Sequence, residues 1–376
     1  MRLSKVLFKA CLIFTILAHV CPVTGASRFP DNPGLTVKIG LLVPDNKSIA
    51  AIHGAEMAIR EANRKGGFNG TPFQLVTRSM EGPWGTGSKE AVNLIFEEKV
   101  WAILGSHDGR NAHLVEQAAT KAGVVFLSAW ASDPTLSQAF VPWFFNCVPN
   151  DNQQAASLIE EIYNKRKINK IAVVSGNDYD SKMALESFLK LIKMSGKTDP
   201  LQFFYDNYNQ KLNVLLDQII KADVNYIILF CHSSASIKII QQIRQRKMNK
   251  PVSGPLLLLN ENELSDQELQ DYDKVMSVPS GNWSESKSVA FQQDYQKTYG
   301  KMPGMVAAYA FDGMNLLIEA IRNAGSPERE KIQKSLENIH FEGVTGPIQF
   351  DDKGNRSGTF KMMSIKNGIP VAVERY

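Results

Sequence analysis

From Val37 onward, short aliphatic strands alternate with amphipathic helices, and the alternation is completed twice. Val37-Lys-Ile-Gly-Leu-Leu-Val43 is rich enough in β-branched and aliphatic residues for a buried strand. Residues 50–63 carry apolar side chains at helical spacing and end at Lys65-Gly66-Gly67, a stop signal. The same reading gives strands at 74–77, 101–105 and 124–128, with helices at 88–97 and 111–122. After Asn146-Cys-Val-Pro-Asn150 the rhythm restarts. Strands are expected at 170–175, 226–231 and 255–259, with helices at 151–165, 181–194, 212–221 and 235–244. Helices at 288–299 and 305–323 follow, then strands at 348–350, 359–365 and 370–373. Strand-helix alternation demands parallel sheets with right-handed crossovers. The expected fold class is therefore α/β, with two doubly wound, Rossmann-like lobes.

The first residues follow a different logic. Arg2, Lys5 and Lys9 precede an apolar stretch over 10–20, Pro22 breaks it, and Thr24-Gly25-Ala26 offers the small residues a signal peptidase needs. The stretch is shorter than the roughly 20 residues of a membrane span. Residues 1–26 read as a signal peptide cleaved near Ala26, so the mature chain is expected to be exported. A lipid anchor would require a small residue before a cysteine, and Val20 precedes Cys21. Three of the 42 basic residues leave with the leader, so 39 basic face 38 acidic ones. Such a balance gives no electrostatic reason to expect nucleic acid as a partner. About 350 residues remain, comfortable for two domains. Cys147 and Cys231 also remain, and could pair or stay buried and free.

Ligands of open α/β sheets sit beyond the carboxyl ends of the strands, where loops meet helix starts. That rule selects Ser106-His-Asp-Gly-Arg-Asn111. Free N–H groups there attract an anion, and Arg110, beside Asp108 and Gly109, would add a bidentate partner for a carboxylate. The alternative is a turn shaped by Gly109 and a solvated Arg110. In Ser128-Ala-Trp-Ala-Ser-Asp133, Ser132 offers a hydroxyl and Trp130 an apolar wall, unless the Ser or Asp only caps a turn. In the second half, Asn177-Asp-Tyr-Asp-Ser181, His232-Ser-Ser234 and Asn260-Glu-Asn-Glu263 each follow a strand. Tyr179 or His232 could stack on or hydrogen-bond a ligand, and Glu261 could neutralise an ammonium. Each could equally be a structural strand end.

Enzyme signals are weak. The chain has no Gly-x-Ser-x-Gly elbow, no Gly-Lys-Ser/Thr phosphate loop and no His-Glu-x-x-His helix. His107, Asp108 and His113 fit no metal-ligand spacing, and Gly82-Pro-Trp-Gly-Thr-Gly87 lacks the helix-opening spacing of a dinucleotide site. No metal and no cofactor are expected.

Three stretches carry a family resemblance. Gly54-Ala-Glu-Met-Ala-Ile-Arg-Glu-Ala-Asn-Arg-Lys-Gly-Gly-Phe-Asn-Gly70 resembles the first-helix signature of type I periplasmic binding proteins of the branched-chain amino acid group. Ala308-Tyr-Ala-Phe-Asp-Gly-Met-Asn-Leu-Leu-Ile-Glu-Ala-Ile321 resembles that group's late helix. Phe341-Glu-Gly-Val-Thr-Gly-Pro-Ile-Gln-Phe-Asp-Asp-Lys-Gly-Asn355 resembles its late segment. The resemblance implies a three-segment hinge, with 36–148 plus 282–351 as the first lobe and 149–281 plus 352–376 as the second. It implies ligand held in the cleft and closure about the hinge. It further implies a periplasmic receptor that delivers an amino acid or related carboxylate to the membrane permease of an ABC transporter; a monomer is expected because no pattern in the sequence marks an oligomer surface. A sensor of the same fold, and less so an exported hydrolase using His107 or Asp108 with Arg110, are the alternatives.

By the same resemblance, Gly109 stands where the group has a carboxylate-binding Ser, and Arg110 is the neighbouring substitute. Trp130 and Ser132 fall on its carbonyl and hydroxyl pair. Tyr179 falls on its cleft tyrosine and His232 on another aromatic position. Glu261 is the best match for its ammonium-binding acid. These departures imply a ligand other than plain leucine.

Overall fold

The computed structural model describes residues 36–138, 142–206, 212–279, 281, 283, 285–366 and 368–373. The leader expected over 1–26 lies outside the described residues. Strands β1 (Val37–Val43), β2 (Phe73–Ser79), β3 (Ala102–Gly105), β4 (Val125–Ser128) and β5 (Phe144–Asn146) form one sheet in the order β2-β1-β3-β4-β5. Every pairing in it is parallel. This is a doubly wound order, with its switch point between β1 and β3. β1, β3 and β4 are almost wholly buried, which is why they read as continuous apolar runs rather than alternations.

The second sheet contains β6 (Ile171–Ser175), β7 (Leu201–Phe204), β8 (Tyr226–Phe230), β9 (Val252–Gly254) and β10 (Met276–Ser277), all paired in parallel. A separate hairpin, β11 (Phe341–Gly343) and β12 (Gly346–Ile348), precedes its last two strands. Those are β13 (Met363–Lys366) and β14 (Ile369–Ala372), added antiparallel beside β10. The order is β14-β13-β10-β9-β8-β6-β7. The chain thus crosses between the lobes three times: after Asn146, between Ser277 and Ser286, where the following helices pack on the first lobe, and between Ile348 and Met363.

The strand expected at 255–259 is a correction. Residues Leu256–Leu259 form a 3-10 turn, and the strand lies just upstream at β9. Pro255 has no N–H to continue the ladder, and the Leu256 N–H is taken by Gln154 Oε1 at 2.7 Å. Four buried leucines in a row carry no periodicity that separates the two. β5, β7 and helix Arg329–Glu337 also escape the sequence reading. β7 is short and mostly exposed, so it lacks an alternating pattern.

The three family-like stretches pack on one another, which explains their residue types. Helices Ile49–Arg64 and Met305–Ala324 approach so closely at Gly54 that a Cβ there would lie 2.2 Å from the Ala307 carbonyl oxygen. Asp312, fully buried, accepts from the Val344 and Thr345 N–H groups at 2.8 Å each and from the Thr345 hydroxyl at 2.6 Å. Burial still raises its pKa, and the hydrogen bonds only offset part of that rise.

Arg356, 1 % exposed, donates to the carbonyls of Cys147, Thr345 and Pro347, each at 2.9 Å. A parallel bridge also joins Asn146 to Asn355. The first and third crossings are therefore fastened together by a buried cation and backbone pairing. Cys147 and Cys231 are free and buried. Among the described residues, no helix is long and apolar enough to cross a membrane.

Candidate functional site

A cavity of about 300 Å³ lies between the two sheets at the carboxyl ends of their strands. The first lobe contributes Pro44 and Ser48 after β1, Ser106, His107, Asp108 and Arg110 after β3, Trp130 after β4, and Val306. The second lobe contributes Asp178, Tyr179 and Asp180 after β6, His232 after β8, and Asn260, Asn262 and Glu263. Loops beyond strand ends can carry polar groups because the sheets behind them hold the backbone rigid.

Local capping chemistry places many of these side chains. Asp108 precedes helix Gly109–Ala122 and accepts from the Asn111 N–H at 2.9 Å and Asn111 Nδ2 at 2.7 Å. Asp178 caps helix Tyr179–Met194, accepting from the Ser181 N–H at 2.9 Å and the Ser181 hydroxyl at 2.6 Å. An extended Asp at a helix start satisfies otherwise orphaned N–H groups.

The lobes meet through side chains. The Tyr179 hydroxyl donates to Asp133 Oδ2 at 2.6 Å, and His113 Nε2 lies 3.0 Å from the same oxygen. The hydrogen bond to Asp133, helped by Glu116, raises His113 to about 9. Burial pushes Asp133 up, but the bonds from His113, Tyr179 and Thr135 hold it below its ordinary value. Burial and the bond to Asp133 raise the Tyr179 phenol. An imidazolium, a carboxylate and a neutral phenol are the resulting forms.

Asp180 Oδ1 accepts the Gly109 N–H at 3.0 Å. Burial, reinforced by the neighbouring Asp108 charge, raises Asp180 to about 7. His232 Nε2 pairs with Asp178 at 3.0 Å, and its Nδ1 lies 3.9 Å from Glu263. Burial pulls the imidazole down, but Asp178 overrides it and raises His232 to about 9. Arg110 lies over the Trp84 ring, 4.2 Å from its centre.

Of the residues singled out from sequence, Asp108, Arg110, Trp130, Tyr179 and His232 line the cavity. Gly109 and Ser132 do not line it, and the Gly109 N–H is given to Asp180. Ser132 points its backbone carbonyl at the Asp151 N–H, 2.8 Å away. Glu261 does not line the cavity. Its oxygens accept the Val306 and Ala307 N–H groups at 2.9 and 2.8 Å, so it is spent on the start of a helix. Glu263, two residues on, lines the cavity, and its oxygens also accept the Ser234 N–H at 3.0 Å and Asn260 Nδ2 at 3.1 Å. Asp178, Asp180, Glu263 and Asn262 were missed as individuals, although their segments were selected. The available signal was acid density: Asp178 and Asp180 flank Tyr179, and Glu263 is two residues from Glu261.

His107 is 1 % exposed, stacks over Phe126 and has its pKa lowered by burial. Asp108 and His113 are bonded elsewhere. Among the described residues, no group of three or more His, Cys, Asp or Glu side chains could hold a metal.

Two α/β lobes, three chain crossings and a polar cavity at facing strand ends define a two-lobed protein that binds in its cleft. The chain belongs to the periplasmic binding protein family, whose model matches residues 36–368. It is a solute-binding protein of that family, not an enzyme. The Leu/Ile/Val-binding protein homolog 1 of Brucella abortus is 23 % identical over 362 residues, 94 % of each chain. The branched-chain amino acid transporter substrate-binding protein LivJ of Streptococcus pneumoniae, solved with isoleucine, has a TM-score of 0.79 at 23 % identity. That match covers 90 % of this chain and 98 % of LivJ. A solute-binding protein of an ABC transporter from R. palustris, solved with benzoate, has a TM-score of 0.77 at 17 % identity. It covers 90 % of this chain and 95 % of that one.

Proposed function

We propose that this chain captures a small molecule bearing a positively charged amine between its lobes and delivers it to the permease of an ABC importer. The observation that carries the reading is the charge of the cavity wall. Among the described lining residues, Asp108, Asp178 and Glu263, with Asp180 raised to about 7, face the cations Arg110 and His232. In a confined space, unbalanced carboxylates favour a cation strongly, because water can screen them only in part. The aromatic faces of Tyr179 and Trp130 suit an ammonium as well.

The amino acid expected from sequence keeps its ammonium in this reading, held by the cavity acids rather than by Glu261. Contacts made with both lobes at once offset the cost of closure. The names of the relatives, which describe transporter components, support delivery to an importer and a place of work outside the cytoplasm. The receptor acts as a monomer.

A thermal-shift screen tests the reading, using protein unfolded and refolded to strip any carried ligand. Amines, amino acids, aromatic acids, amides and sugars would be compared. A ligand at 100 times its Kd adds about 2.7 kcal/mol of stability. Raised melting temperatures among amine-bearing compounds support the proposal, and a response confined to sugars or to amine-free acids rejects it.

A further inference from the structure

We infer that the solute of this cleft is an organic amine lacking a carboxylate, because the second lobe itself fills the anion positions of the first. The inference rests on the receptor reading above and names its ligand class. Three first-lobe helices begin at the cavity, and each receives an oxygen from the second lobe. The Ala50 N–H of helix Ile49–Arg64 donates to Asn262 Oδ1 at 3.0 Å. The Gly109 N–H of helix Gly109–Ala122 donates to Asp180 at 3.0 Å. The Val306 and Ala307 N–H groups of helix Met305–Ala324 donate to Glu261. Helix starts are where a ligand carboxylate would be gripped, and here these N–H groups are taken by the protein's own acceptors.

Gly109 and Asp180 fit each other as a pair. A Cβ at Gly109 would stand 3.0 Å from Asp133 Cβ and 3.1 Å from Asp180 Oδ1. Glycine is therefore what leaves room for the Asp180 carboxylate, at the position where the family resemblance expects a serine hydroxyl. Asp180 acts as a built-in carboxylate. Asp108 occupies a further donor of the same helix, the Asn111 N–H, and the Asn111 side-chain amide. Arg110 makes no ion pair among the described residues, but it lies over Trp84, and a carboxylate reaching for it would meet a wall already carrying Asp108 and Asp180.

Three cavity-lining groups have no hydrogen-bond partner, the Ser106 hydroxyl, His107 Nε2 and His232 Nδ1, and the first of them suits an amine. Ser106 is 4 % exposed, lines the cavity and has a hydroxyl with no hydrogen-bond partner. An ammonium is a donor without acceptors, so it complements both this oxygen and the surrounding carboxylates.

Matched pairs decide the matter: leucine against 3-methylbutylamine, phenylalanine against 2-phenylethylamine, lysine against cadaverine. Calorimetric titration of the stripped full chain should show an amine binding at least about tenfold more tightly than its parent amino acid. Asp180→Ala should reverse that order by freeing the Gly109 N–H, a gain in amino acid affinity that misfolding could not produce. Asp180→Asn keeps the acceptor but not the charge, so it should weaken the amine without admitting the amino acid. An amino acid that outbinds its amine on the unaltered protein overturns the inference and leaves the receptor reading standing. No response to any amine also overturns it, and binding of amine-free acids or sugars in the wider screen would then remove the receptor's amine preference too.

Discussion

The hydroxyl of Tyr179 and the carboxylate of Asp133 meet at 2.6 Å across the cleft, one from each lobe. Asp133 is held in turn by His113 and by the Thr135 hydroxyl at 2.7 Å. Closure is thus written into side chains that have no need of the ligand, and the solute has only to add its own contacts to a surface already shaped for it.

Removing that bond should loosen the lobes. Hydrogen bonds to charged groups contribute about 1.5–3 kcal/mol, enough to move an open-closed equilibrium by tenfold or more. Tyr179→Phe should therefore enlarge the ligand-free radius of gyration in small-angle scattering. An unchanged radius would mean that Tyr179 does not hold the lobes together.

Glu261 and Glu263 should separate cleanly under substitution. Glu261→Gln places an amide where two N–H groups expect carboxylate oxygens, and a buried mismatch of that kind costs about 1–3 kcal/mol. Urea unfolding should show it. Glu263→Gln keeps one oxygen for the Ser234 N–H, so it should cost less in urea unfolding while weakening amine binding by about tenfold. Reversed effects would restore the ligand role read for Glu261 from sequence.

Stability should fall as pH rises across the physiological range. Asp180 is raised to about 7 from an ordinary 3.8, and Asp151 is raised by burial. Each favours folding fully below pH 3.8 and loses that contribution as pH climbs through its folded value. His113 and His232, both raised to about 9, contribute fully below 6.5 and lose it toward pH 9. Asp133 and Asp178 are lowered, so their contribution is present above pH 3.8 and fades in stronger acid. The melting temperature should peak near about pH 5 and decline toward pH 9, and Asp180→Asn should flatten the part below pH 7. A rise in stability from pH 5 to pH 8 would contradict these assignments.

The cysteines should be silent in the native protein. Burial raises the Cys147 thiol to about 12 and Cys231 higher still, and the thiolate is the reactive form. A thiol reagent should label neither before unfolding and both afterwards, without reductant. Absence of labelling in the unfolded chain would reveal a disulfide instead.

The sequence carried the architecture because the central strands of both sheets are parallel and buried. Strands such as Val37–Val43 and Tyr226–Phe230 must be apolar throughout, and the helices covering them must show a one-sided stripe. The same chemistry hid β7, whose side chains are exposed, and turned four leucines after Pro255 into a false strand. In the site, the strand-end rule selected the right loops. It could not choose between Glu261 and Glu263, because both are acids in one short turn.

What the sequence determined by itself was therefore the two-lobed frame, its family and the loops that line the cleft. These depend on periodicity and turn chemistry, which are local. Only the tertiary structure decided that Glu263 lines the cavity while both oxygens of Glu261 are spent on a helix start. It alone shows Asp180 reaching the Gly109 N–H across 71 positions of sequence. Such pairings arise where two lobes meet, and hydrogen-bond partners brought together across a cleft leave no spacing in the chain to read.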